Sequence, residues 1–197
     1  RGLGDVYKRQ RLVTFGTDAQ SLGSGWLTVP EAKALLEAIP VPTSNTQGTN
    51  YDAALGTAIS AFANGATPDT SKLATGANVS YFISDGLPTY GIGTQSQLTG
   101  GTLNGNGIVD TINSGDEGIQ ANEFNTWSSH LFNNSISSYS LGVGADISPT
   151  ERAVLDPIAY DGRAGEDRSA VVVADFADLD AVLSNYTPKP TTGNLIS

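Results

Sequence analysis

Short runs rich in β-branched and aromatic residues alternate along this chain with amphipathic segments of helical period. That alternation limits the fold more than any other feature, because each strand is followed by an element able to cover a sheet face. The runs at Arg11–Thr17, Asn78–Ile83, Ser138–Val143 and Ser169–Ala174 are predicted strands, with a short edge strand at Gly23–Thr28. Helices are predicted from Pro30, with Ala32, Leu35, Leu36 and Ile39 at helical spacing, and over Tyr51–Ala63, with Ala54, Leu55, Ala58, Ile59 and Phe62 inward. Two more follow over Asn122–Asn133, on Phe124, Trp127, Leu131 and Phe132, and over Asp178–Tyr186, on Leu179, Val182 and Leu183. Trp26, Trp127 and Phe132 read most simply as core. The expected fold is α/β, a doubly wound, Rossmann-like and mostly parallel sheet flanked by helices.

A chain of 197 residues suits one such domain with an insertion. The insertion is the Gly-, Asn- and Thr-rich stretch at about 90–118, far longer than an ordinary connection. Residues 187–197, with Pro188, Pro190 and Gly193, read as a linker to a following domain. Residues 1–10 are polar and without period, and Asp5–Gln10 (DVYKRQ) looks like a translated transposon mosaic end used as a sequencing adapter. We expect that segment to be an artefact outside the domain, which then spans residues 11–186.

The formal charge is −10, and leaving out Arg1, Asp5, Lys8 and Arg9 makes it more negative still. Phosphate binding needs clustered Lys and Arg, so no nucleic-acid partner is expected. No apolar run reaches the length of a membrane span, and no membrane span is expected. Cysteine is absent, which excludes disulfides and thiolate metal sites. No enzyme is expected either. His130 is the single histidine, no G-x-S-x-G elbow occurs, and no G-x-G-x-x-G follows the strands in view.

Open parallel sheets bind ligands beyond the carboxyl ends of their strands. Two oxygen-bearing spots fall at such ends, Thr49 just before the Tyr51 helix and Asp85 directly after the Asn78 strand. A hydroxyl and a carboxylate without Cys or a nearby His favour a hard cation such as Mg²⁺. Each residue also has a plainer reading, Thr49 as a helix cap and Asp85 as a turn residue before Gly86. Asn104, Asn106 and Asp110, with Asp116, Glu117 and Glu123 beyond them, hint at an extra Ca²⁺ site in the insertion. Their spacing departs from the EF-hand pattern at the fifth position and at the glycine, and the plainer reading is a solvated flexible loop.

The segments GTNYDAAL (48–55) and YFISDGLPT (81–89) resemble two of the three signature segments of von Willebrand factor type A domains. SLGVG (140–144), LDPIAYDG (155–162) and the 171–183 stretch are similar to the version found in giant bacterial repeats-in-toxin adhesins. The resemblance implies a metal-ion-dependent adhesion site with Thr49 and Asp85 as ligands, holding Mg²⁺ or alternatively Mn²⁺ or Ca²⁺. It implies a protein or cell-surface partner that offers an acidic group, an extracellular or bacterial cell-surface location, type I secretion, and covalent membership of a larger multidomain chain. The family's first segment, Asp-x-Ser-x-Ser, does not occur here with strand context. It belongs to a central strand expected before Arg11, so the carry-over stops at Thr49 and Asp85. Loss of that strand is expected to leave a gap between the Arg11 and Asn78 strands. The alternative function is a structural spacer inside a long adhesin with no partner of its own.

Overall fold

The structure is a computed structural model and describes residues 9–40, 48–63, 78–89, 118–144 and 149–186. Strands β1 (Gln10–Phe15) and β2 (Ala19–Leu27) form an antiparallel hairpin, pairing Phe15 with Ala19 and Gln10 with Leu27. β2 is longer than the Gly23–Thr28 edge strand expected, and Gln10 is part of β1. Thr28 then caps helix α1 (Val29–Glu37). The Glu31 carboxylate accepts from the Thr28 N–H at 2.7 Å, and the Glu31 N–H reaches back to the Thr28 hydroxyl at 3.4 Å. Of the apolar residues expected to face inward on α1, Ala32 is buried, whereas Leu36 and Ile39 are exposed.

Helix α2 (Tyr51–Ala63) matches its expected bounds. Its first two turns, Tyr51 to Thr57, are buried; the β1–β2 hairpin packs against the helix, and Phe82 of strand β3 (Asn78–Ser84) meets Tyr51. Helix α3 (Ala121–Asn133) leads into strand β4 (Ile136–Val143). β3 and β4 run parallel in register from Asn78 opposite Ile136 to Ser84 opposite Gly142. Helix α4 (Pro149–Leu155) and a 3-10 turn at Asp156–Ile158 follow. The two-residue strands β5 (Tyr160–Asp161) and β6 (Glu166–Asp167) make a small antiparallel hairpin, and β7 (Val171–Val173) precedes helix α5 (Phe176–Tyr186).

β4 is the central strand. β3 lies along one edge, while the other edge carries β5 antiparallel at Ser137–Ser138 and β7 parallel at Leu141–Val143. The fold is therefore mixed α/β with a mixed sheet. The mostly parallel sheet expected from the sequence is corrected here, because the β1–β2 hairpin and the β5–β6 hairpin are both antiparallel. Two-residue strands carry too few side chains to show a period, so β5 and β6 arise from pairing alone.

β1 and β3 belong to separate sheets, with no ladder between them among the described residues. Side chains bridge them instead. The Phe15 and Phe82 rings stack with centroids 5.0 Å apart, and Tyr51 meets both edge-on at 6.4 and 4.9 Å. Below them Trp127, Leu131, Ile136 and Ile158 form the centre of the core. The Trp127 indole N–H donates to the Ile158 carbonyl at 3.0 Å, which satisfies the buried polar end of that ring. Phe132, expected in the core, is 56% exposed. No helix among the described residues is long and apolar enough to cross a membrane.

Candidate metal site at the strand ends

The loop before α2 is held from two directions. On the hairpin side, the Gly48 N–H donates to the Thr17 hydroxyl at 2.9 Å, and the Asn50 amide donates to the Thr17 carbonyl at 3.2 Å. The Asn50 N–H also donates to the Gly16 carbonyl at 2.8 Å. On the β3 side, the Thr49 N–H donates to the Thr89 hydroxyl at 2.8 Å, and the Thr89 N–H donates to the Thr49 carbonyl at 2.8 Å. The Tyr51 hydroxyl donates to the Gly86 carbonyl at 2.6 Å. The loops carrying Thr49 and Asp85 are thus fastened together at the carboxyl end of β3.

The plainer roles for these two residues are filled by their neighbours. Asn50, not Thr49, caps α2: its side-chain oxygen accepts from the Ala53 N–H at 2.9 Å. Ser84, not Asp85, closes the bend after β3. Its hydroxyl donates to the Gly86 carbonyl at 3.0 Å and accepts from the Gly86 N–H at 3.4 Å. Among the described residues, neither the Thr49 hydroxyl nor the Asp85 carboxylate makes a side-chain hydrogen bond or ion pair. Thr49 is half-buried and Asp85 is exposed.

The donor set suits a hard cation in kind, with a hydroxyl and a carboxylate and no sulfur. It falls short in number, since Mg²⁺ takes about six oxygens. No group of three or more His, Cys, Asp and Glu side chains is gathered among the described residues. Asn104, Asn106 and Asp110 lie outside the described residues, as do Asp116 and Glu117. Glu123 is fully buried and serves as a cap, its carboxylate accepting from the Gln120 N–H at 2.8 Å. No sequence pattern assigns the supporting roles of Tyr51, Ser84 and Thr89. Asn50, at the residue before a helix, carries the one legible signal.

A second polar cluster sits at the opposite end of the sheet. The Asp161 carboxylate accepts from the Ser137 hydroxyl at 2.9 Å and the Arg163 N–H at 3.1 Å, and it pairs with Arg168. Burial pushes the Asp161 carboxyl up, but these donors and the Arg168 charge outweigh it and hold the group below the usual aspartate range. The Arg168 guanidinium also lies 4.7 Å from the centre of the Tyr139 ring. This cluster clamps the β5–β6 hairpin to β4. No protein-family model matches the chain, and no curated protein matches it either.

Proposed function

We propose that this chain is a divalent-cation-dependent adhesion module of a secreted or surface-displayed bacterial protein, with a doubly wound fold of the von Willebrand factor type A kind. One observation carries the reading. Thr49 and Asp85 lie on two loops tied to each other at a strand end, and Asn50 and Ser84 take over the local roles that would otherwise occupy them. Oxygen side chains on loops fastened to each other, without internal partners among the described residues, favour a ligand from solvent.

In this reading the Thr49 hydroxyl and the Asp85 carboxylate hold one Mg²⁺, Mn²⁺ or Ca²⁺ ion. A bound cation would supply a positive charge with room for an acidic group of the partner. The work of the chain is positional: the Thr49–Thr89 pair and the Tyr51–Gly86 bond fix the separation of the two loops. With two protein donors in view the affinity is low, and further oxygens must come from outside the described residues or from water. The proposed partner is a protein or cell-surface ligand bearing carboxylates, and no catalytic role is proposed.

The test is binding of the labelled chain to bacterial cells and to immobilised carboxylate-bearing ligands, with Mg²⁺ or with EDTA. The proposal expects capture that chelation removes. A chain that only spaces its neighbours would show no chelator-sensitive capture, and that result would reject the adhesion reading.

A further inference from the structure

Two Asp–Gly pairs lie in the described residues, and the structure treats them in opposite ways. Asp85 and Gly86 form the bend after β3 and are both exposed. The Asp85 carboxylate has no internal partner among the described residues, and the Gly86 N–H is held only by the long 3.4 Å contact to Ser84. Nothing lies within 4 Å of where a Cβ on Gly86 would stand. The Gly86 carbonyl is pinned by Tyr51 at 2.6 Å, whereas the peptide joining Asp85 to Gly86 has its N–H held by the longer Ser84 contact.

At Asp161–Gly162 both reacting groups are engaged. The Asp161 carboxylate is held by Ser137, Arg163 and Arg168. The Gly162 N–H donates to the Ile136 carbonyl at 2.9 Å. The turn is packed so closely that a Cβ on Gly162 would collide with the Leu131 and Ile136 carbonyls.

We propose that Asp85–Gly86 is a site of spontaneous isoaspartate formation in the folded chain, and that Asp161–Gly162 is kept inert by its packing. In the first step the Gly86 backbone nitrogen attacks the Asp85 side-chain carbonyl carbon. A C–N bond forms, a C–O bond breaks, and the carboxyl oxygen leaves as water with the amide proton and the carboxyl proton. The product is a cyclic imide. Water then adds to either imide carbonyl and breaks one C–N bond. One outcome restores aspartate, and the other routes the main chain through the side chain and frees the α-carboxylate. Water is the only co-reactant. The step needs an unhindered following residue, a loosely held amide and an unpaired carboxyl: Gly86 is open, its N–H keeps only the 3.4 Å contact to Ser84, and the Asp85 carboxylate has no partner among the described residues.

The proposal goes beyond the cation reading and stands whether or not Asp85 holds an ion. The full chain would be incubated at neutral pH and physiological temperature in isotopically heavy water, without added metal. It would then be digested and mapped by electron-transfer mass spectrometry. The expected result is isoaspartate carrying heavy oxygen at position 85 and none above background at 161, while the urea-unfolded chain converts at both. Gly86→Ala, which the open space tolerates, should slow conversion at 85 several-fold with an unchanged circular dichroism spectrum. Absence of product at 85 in the folded chain while the unfolded chain converts, or equal conversion at 161 and 85 in the folded chain, would overturn the proposal.

Discussion

The Tyr51 hydroxyl donates a 2.6 Å hydrogen bond to the Gly86 carbonyl, joining the first turn of α2 to the bend after β3. The same ring packs edge-on against Phe15 and Phe82, so one side chain spans both sheets and orders the loop that carries Asp85. Tyr51→Phe keeps the packing and removes the bond. The expected cost is about 1 kcal/mol, read as a lower urea midpoint with an unchanged slope. Backbone exchange protection over residues 84–89 should fall in the same variant, while that of β4 should not.

Gly162 sits where the chain turns from β5 beneath the end of α3. Its N–H donates to the Ile136 carbonyl, and the space of a Cβ is already filled by the Leu131 and Ile136 carbonyls. These are backbone atoms and cannot rotate away as a side chain would. Gly162→Ala should therefore cost about 3 kcal/mol or more, measured by denaturant unfolding. Gly86→Ala, with open space around it, should change stability little in the same experiment.

Ser138 and Ser140 lie on one face of β4, fully buried, and their hydroxyls find no hydrogen-bond partner among the described residues. A buried hydroxyl without a partner loses its water and gains nothing in exchange. Ser138→Ala and Ser140→Ala should each raise stability by about 1 kcal/mol. A clear loss of stability in both would mean that the hydroxyls are bonded after all.

Asp161 gives the chain an acid-sensitive clamp. Its folded-state carboxyl is held below the ordinary aspartate value, despite burial, by Ser137, Arg163 and Arg168. A depressed value means the ionised form is favoured by folding. The stabilisation is complete above the unfolded-state value and is lost as pH falls toward and through the folded one. Asp161→Asn should cost about 2 kcal/mol at neutral pH and flatten the stability-versus-pH curve on its acid side. Thermal unfolding across that range reads both effects.

Local pattern made much of this fold legible. Tyr51–Ala63 carries an unbroken helical period, and the helix has the bounds that period gives. β3 and β4 are runs of consistent strand character, found to within two residues at each end. The antiparallel additions were not legible, because β5 and β6 exist only through pairing with β4 and with each other. Phe132 misled for a geometric reason. The inner face of α3 is centred on Glu123, Trp127 and Leu131, each four residues from the next, and Phe132 is one position off that line. The polar Glu123 took a place that periodicity alone gives to an apolar residue. Thr49 and Asp85 stood out in the sequence, whereas Asn50, Ser84 and Tyr51, which leave them available, became visible only once the loops met.

Paramagnetic Mn²⁺ titration followed by NMR reads directly whether Thr49 and Asp85 share one divalent cation. Mn²⁺ broadens amide signals near where it binds, even at low affinity. Signals of residues 48–51 and 84–89 should broaden first, Mg²⁺ should reverse the effect, and Asp85→Ala should abolish it. Broadening spread over the acidic surface, or centred on the two loops but unchanged in Asp85→Ala, would mean that the two residues share no ion.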